Sequence, residues 1–175
     1  MSDLIGSILT DLDHGGPEEE NERVTSKLDT ARAYVDLISV DGDLEKAITD
    51  YMADDFKNLD KDGDVALTKD QLLGMTRMLG RSFTGYGFLC SDLRDEDDFV
   101  IMTGHFEGMH IGDIDLSAMG LGVGVIPASG KKIVWPEASA KLTIEGGRIV
   151  RMQPYAGAAG LKAWLAALET KTPSA

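Results

Sequence analysis

The feature that most constrains the fold is a change of period at Ser82. Before it, apolar residues recur at helical spacing; after it, β-branched and aromatic residues gather in strand-length runs. From Val24 to Tyr51, Leu28, Ala31, Val35 and Ile38 make one apolar face, with Tyr34 and Leu37 at its edges. Gly42 interrupts, and Leu44 resumes. Thr25 or Ser26 is placed to cap the first helix, and Asp41 or Asp43 the second. Thr68 and Gln71 form a capping box, and Leu72, Leu73, Met75, Met78 and Leu79 carry a third helix to about Gly80. Beyond Ser82, residues 83–93, 99–110, 131–144 and 148–155 predict strands. The acidic segment 94–98 and the Glu145-Gly146-Gly147 turn join hairpins; the two glycines supply the positive φ a tight turn requires. A glycine-rich loop, 116–130, separates the second and third of these strands. Residues 158–168 read as a closing amphipathic helix. The class is therefore α+β, with helices packed on one face of a curved antiparallel sheet.

Charge excludes whole function classes. The 175 residues hold 17 Lys and Arg against 30 Asp and Glu, a formal net charge of −13. Gripping nucleic acid or an anionic membrane surface needs clustered cations, so neither is an expected partner. The single cysteine, Cys90, forms no intrachain disulfide, and no run approaches the roughly 18 apolar residues of a membrane span. The N-terminus has no basic segment followed by an apolar core, so the default location is cytoplasmic. Residues 1–22 carry seven acids and no Lys or Arg. They read as an acidic, weakly ordered arm, 23–170 as one domain and 171–175 as a tail.

Several motifs come in a telling order. Tyr51-Met-Ala-Asp-Asp-Phe56 follows two helices and resembles the opening of the first strand in the nuclear transport factor 2-like superfamily. Gly108-Met-His110-Ile-Gly112 and Pro127-Ala-Ser-Gly-Lys131 are similar to two motifs of the SnoaL-like polyketide (ester) cyclases. The Gly147-Arg-Ile149 turn, the strand after it and the final helix complete the resemblance, which spans about residues 24–168. It implies a cone-shaped, cystatin-like α+β barrel roll: a curved antiparallel sheet wrapped over three N-terminal helices around an apolar pocket. It also implies a homodimer formed through the outer sheet face, a small hydrophobic molecule as ligand, and no metal or organic cofactor.

The family's ring-closing step uses a His on the penultimate strand and an Asp on the last. Counting from Gly147, those positions fall here on Ala140 and Pro154, and neither can move a proton. A catalytic acid or base must be titratable and within hydrogen-bond reach of the reacting atom. The alternation Val134, Pro136, Ala138, Ala140, Leu142, Ile144 predicts one apolar face lining the pocket. The lining expected comprises Tyr51, Tyr86, His105, Trp135, Ala140, Met152 and Pro154. His110 is the candidate acid or base, with Tyr155 or Asp55 as helper; its alternative role is to hold the neighbouring loop. His105, five residues earlier, faces the other side of the strand unless a bulge intervenes. If the domain is an enzyme, cyclisation, isomerisation or dehydration beside a carbonyl is implied; the alternative is a non-catalytic ligand-binding or scaffold protein. The insertion 117–126 is placed either as a lid over the pocket or as a plain loop.

Two other motifs fail on spacing. Asp60-Lys-Asp-Gly-Asp64 mimics a calcium loop, but position 12 is Gln71 or Lys69 according to register, so the bidentate Glu is missing. Gly120-Leu-Gly-Val-Gly124 lacks the following helix and third glycine spacing of a dinucleotide site.

Overall fold

The computed structural model describes residues 25–120 and 122–171. The acidic arm, 1–22, and residues 172–175 of the tail lie outside the described residues. Helices α1 (Lys27–Ile38) and α2 (Leu44–Tyr51) come first. The Ser26 side chain caps α1 by accepting from the Asp29 N–H, and Asp43 caps α2 by accepting from Lys46. A short hairpin, β1 (Met52–Leu59) and β2 (Val65–Thr68), precedes α3 (Lys69–Ser82). At its tip Asp60 Oδ1 accepts from the N–H groups of Asp62 and Asp64, both at 2.9 Å, so the calcium-like segment is a turn closed by its own first aspartate. Both halves of the Thr68–Gln71 capping box are present on α3.

Strands β3 (Phe83–Asp95) and β4 (Val100–His110) form the long central hairpin. Next come β5 (Ile114–Asp115), β6 (Val125–Ile126), β7 (Lys132–Val134), β8 (Ala138–Glu145), β9 (Arg148–Gly157) and α4 (Leu161–Lys171). The main sheet has the order β2-β1-β9-β8-β4-β3, with β7 also pairing β4. All its pairs are antiparallel except β1 with β9. Gly146 and Gly147 both hold positive φ in the β8–β9 turn.

The run 131–144 is two strands, which corrects the single strand expected. Pro136 has no N–H for the ladder. Along β4, Val134 pairs with Glu107 and Ala138 with Gly104, so one extra residue is accommodated between β7 and β8. That shift reverses the facing of β7. Trp135 and Ile133 are buried and Val134 is 38% exposed, so Val134 leaves the apolar face predicted for it. From Ala138 onward the alternation holds, and Leu142 and Ile144 are buried.

Two apolar clusters fill the roll. One packs Ala31, Tyr34, Ile38, Ile48, Met52 and Phe56 against Phe88, Val100, Met102, Leu142 and Ile149. The other joins Leu79, Phe83, Ile114, Leu116, Ile126, Ile133, Trp135, Trp164 and Leu168. The insertion, 117–126, contributes to the second: Ile126 of β6 is buried there, with Met119 and Val123 packed against it, and β6 pairs with β5 just before the insertion. Among the described residues none of the insertion lines the cavity below.

Candidate functional site

A cavity of about 170 Å³ lies between the inner face of the sheet and the helices. Its walls come from α1 (Tyr34, Ile38), α3 (Leu72, Met75), β3 (Tyr86, Phe88), β4 (Met102, Gly104, Phe106), β8 (Ala138, Ala140) and β9 (Met152, Pro154). Trp135, the segment 158–161 and Trp164 of α4 close it. Almost every wall is apolar, the pattern of a small-molecule site with few orienting polar groups.

Ala140 and Pro154 are register partners across β8 and β9, and both line the cavity. The two positions to which the resemblance assigns a proton-moving pair thus do meet at the wall, and here they are apolar. Tyr86, His105, Trp135, Ala140, Met152 and Pro154 all border the cavity as expected. Tyr51 does not: it is half-buried beside the α1–α2 core.

Tyr86 reaches the cavity through a bulge. Thr84 pairs with Met109 and Gly87 with Glu107, so Gly85 and Tyr86 stand opposite Gly108 alone. Gly85 takes φ 63°, and the parity of β3 flips. Phe83, Tyr86 and Phe88 can then all face inward, although Phe83 and Tyr86 are three residues apart. Tyr86 stacks on Phe106 at 5.3 Å and its hydroxyl accepts from Trp164 Nε1 at 3.2 Å. Trp164 in turn stacks on Trp135 at 5.3 Å, and Trp135 Nε1 donates to the Trp164 carbonyl at 3.0 Å. Burial raises the phenols of Tyr34 and Tyr86 well above the ordinary tyrosine range, so both are neutral.

The proposed proton-moving residues are not brought together. Asp55 is exposed on β1 and Tyr155 is 54% exposed on β9, and neither lines the cavity. His105 faces away from His110, as the strand's unbroken alternation requires; its imidazole lies 4.0 Å from the Glu107 carboxylate. His110 is fully buried but outside the cavity lining, stacked on Phe83 at 4.9 Å. The three candidates thus occupy three separate places, none of them in the cavity lining.

What His110 does is visible in the two motifs that frame it. Gly108 leaves room for the β3 bulge, since a Cβ there would stand 3.1 Å from Phe83 and from Tyr86 Cα. The His110 N–H donates to Lys131 O and its carbonyl accepts from Gly130, both at 2.9 Å. Its Nδ1 faces the Ser129 N–H at 3.4 Å and Ser129 Oγ at 3.3 Å. Ser82 O receives the N–H groups of Ile111 and Gly112. The Gly-x-His-x-Gly and Pro-x-Ser-Gly-Lys segments are thus two halves of one clamp joining β4, β7 and the end of α3. With Nδ1 accepting, the proton sits on Nε2, which is buried without a partner.

A pH dependence follows. Burial lowers the His110 pKa, against smaller opposing effects of the Gly112 backbone and Asp113. The folded value is then below the unfolded value of about 6.5. Such a group's stabilising contribution is present above the unfolded pKa and is lost as pH falls from there toward the folded pKa. Urea unfolding of the wild type from pH 8 to pH 5 is expected to show this loss. A His110→Phe variant, which keeps the stack, is expected to lose less stability over the same interval; equal slopes would refute the assignment.

Tyr34 and Trp164 are among the wall residues absent from the lining expected. Tyr34 was legible only as an edge position of a helix face. Trp164 carried a signal in the amphipathic closing helix, but nothing local said which cavity that helix covers. Among the described residues, no group of three or more His, Cys, Asp or Glu side chains is placed to hold a metal ion, and no helix is long and apolar enough to cross a membrane.

A curled sheet wrapped on helices around an apolar cavity defines the α+β nuclear transport factor 2-like class. Solved structures share it at low identity. One is a protein assigned as a SnoaL-like polyketide cyclase from a Jannaschia species (TM-score 0.57, 15% identity, covering 78% of this chain and 90% of that one). Another is AclR of Streptomyces galilaeus, assigned as a hydroxylase (TM-score 0.60, 14% identity, 83% and 98% covered). A third is a ketosteroid isomerase-like protein of Catenulispora acidiphila in complex with trimethylamine (TM-score 0.52, 14% identity, 75% and 88% covered). These likenesses establish the fold alone. No curated protein matches the chain. The SnoaL-like domain model matches residues 31–152, and the chain belongs to that family.

Proposed function

We propose that this domain binds a small, mostly apolar molecule in the cavity and holds it without moving a proton on it. The observation that carries this reading is the pair Ala140 and Pro154, apolar partners in the cavity wall. Cyclisation, isomerisation or dehydration beside a carbonyl would need a base within hydrogen-bond reach. His110, Asp55 and Tyr155, the residues proposed for that work, stand outside the lining, and the imidazole of His105, which borders it, lies beside the Glu107 carboxylate at 4.0 Å. The volume suits a ligand of one or two rings, since a dry apolar cavity of about 150 Å³ takes up benzene.

Titration with the neutral two-ring dye 1-aminonaphthalene tests it. The expected result is saturable binding at one site per chain with a blue-shifted emission. Ala140→Phe places a ring in the cavity and is expected to weaken binding at least about tenfold, with the far-UV dichroism unchanged. No saturable binding, or equal binding by a folded Ala140→Phe protein, would refute the reading. Turnover of a bound carbonyl compound would refute its non-catalytic half.

A further inference from the structure

We infer that the groove between α3 and the α1–α2 connection is a second binding site, which takes a small organic monocarboxylate with a ring-sized apolar body. The groove encloses about 620 Å³ and shares only Tyr86 with the lining of the cavity. Val40, Phe83 and Tyr86 give it an apolar side, with the Phe83 and Tyr86 rings 5.3 Å apart. Thr76, Arg77, Gly80 and Arg81 border it from α3, where spacings of one, four and five residues hold them on one face. A Cβ on Gly80 would meet nothing within 4 Å, so the wall beside Arg81 is open.

Charge decides the ligand class. The chain is strongly acidic, yet the groove presents a guanidinium with no acid beside it. Asp43 and Glu45 are the acids of the lining, and both are engaged. Glu45 Oε1 accepts from Arg77 Nε at 2.8 Å and lies 2.6 Å from Arg77 Nη2. Asp43 Oδ1 accepts the Lys46 N–H at 2.9 Å as the cap of α2. Among the described residues Arg81 makes no ion pair within 4.0 Å and no side-chain hydrogen bond, and the Thr76 hydroxyl has no partner either. The planar fork of a guanidinium matches the two oxygens of a carboxylate. One uncompensated cation calls for one negative charge; the second charge of a phosphate would stand against Asp43 and Glu45. A bare ion would leave the apolar side unused, whereas a ring covers it. The ligand class is therefore an aryl or alicyclic monocarboxylate. No Lys, Arg, Asp or Glu lines the cavity, so an acid finds no opposite charge there, and the two sites sort molecules by charge.

The experiment titrates 2-naphthoate and its neutral amide, 2-naphthamide, into the full chain and follows backbone amide shifts by two-dimensional NMR. Naphthoate is expected to shift amides of 40–45, 76–81 and 83–86 saturably, and to bind more weakly as salt rises from about 0.02 M to about 0.5 M. Arg81→Gln is expected to weaken naphthoate about five- to tenfold and to leave naphthamide within about twofold. Arg81→Lys, which keeps the charge and loses the fork, is expected to fall between. Arg81 is exposed, so neither substitution disturbs the core. Ala140→Phe, which fills the cavity, is expected to leave naphthoate within about twofold, because the two linings share neither residue 140 nor its neighbours. Inorganic phosphate is expected to displace no more naphthoate than chloride does at matched ionic strength. Naphthoate that moves no groove amide, that binds Arg81→Gln as tightly as wild type, that loses its affinity in a folded Ala140→Phe protein, or that phosphate displaces would overturn the inference. Neutral-dye binding in the cavity is read separately, so failure of this inference and failure of the cavity reading are told apart.

Discussion

Gly87→Ala is expected to destabilise the domain by about 3 kcal/mol, the upper part of the usual range for overpacking. Gly87 follows the β3 bulge and lies under the connection between α1 and α2. A Cβ there would stand 2.4 Å from Val40 N and 2.5 Å from Ser39 C and Val40 Cα. These are backbone atoms, so no rotamer change relieves the overlap. Either the connection lifts from the sheet or β3 is pushed outward, and in both cases the Tyr86–Phe106 stack and the neighbouring cavity wall are disturbed. A whole domain has about 5–15 kcal/mol to lose. Urea unfolding reads the loss. Gly74→Ala on α3 is the internal control: no atom lies within 4 Å of its Cβ, and helix propensity favours alanine by roughly 1 kcal/mol. The two substitutions are thus expected to move the midpoint in opposite directions. A Gly87→Ala midpoint within error of wild type would show that the close approach of β3 to the helical connection is not required.

That bulge also marks where sequence reading stops. The apolar stripe Leu28, Ala31, Val35, Ile38 identified α1 because period 3.6 is written in the residues themselves, and the Thr68–Gln71 box located the start of α3 for the same local reason. Strand parity is less secure. One extra residue at Gly85–Tyr86 and another near Pro136 each invert the facing of what lies beyond, and a single-residue insertion is visible only against the partner strand. Val134 was therefore assigned inward and found outward, while Trp135 faces in. Ala138 and Ala140 were placed correctly because β8 runs straight from Gly104 to Val100 along β4.

The site divides along the same line. Part of its apolar wall was readable: alternation places Ala138 and Ala140 there, and the resemblance assigns the position of Pro154, whereas the facings of Tyr86 and Trp135 depend on the two extra residues. Its polar chemistry was not. His110 attracted a catalytic role because it sits in a family motif, yet the motif's work is to seat one backbone on another: Gly108 under the bulge, His110 on Phe83, Gly130 and Lys131 on the His110 main chain. A recurrent motif reports a geometrical requirement as readily as a chemical one. Tyr34, by contrast, belongs to no motif; its place in the wall depends on how far α1 lies from Trp164, residues 130 positions apart.

Trp164→Ala is expected to release α4 and open the cavity. Replacing a buried tryptophan with alanine costs about 3–5 kcal/mol. Here the side chain is 8% exposed, stacks on Trp135 with an interplanar angle of 8°, and donates to Tyr86. The helix is joined to β9 through Gly157 and Gly160, both at positive φ, and it docks through Trp164 and Leu168. If undocking α4 costs less than the lost contacts, the helix detaches while the sheet remains folded. Hydrogen exchange is the measurement: amides of 161–171 should lose protection while those of β8 and β9 keep theirs. Binding of the neutral dye should weaken by about tenfold or more, because Trp164 and the segment before it are walls of the cavity. Trp164→Phe retains a ring for the Trp135 stack and loses only the N–H to Tyr86, so its cost should be nearer 1 kcal/mol. Unchanged exchange in α4 with undiminished dye binding in Trp164→Ala would show that the cavity closes without this helix.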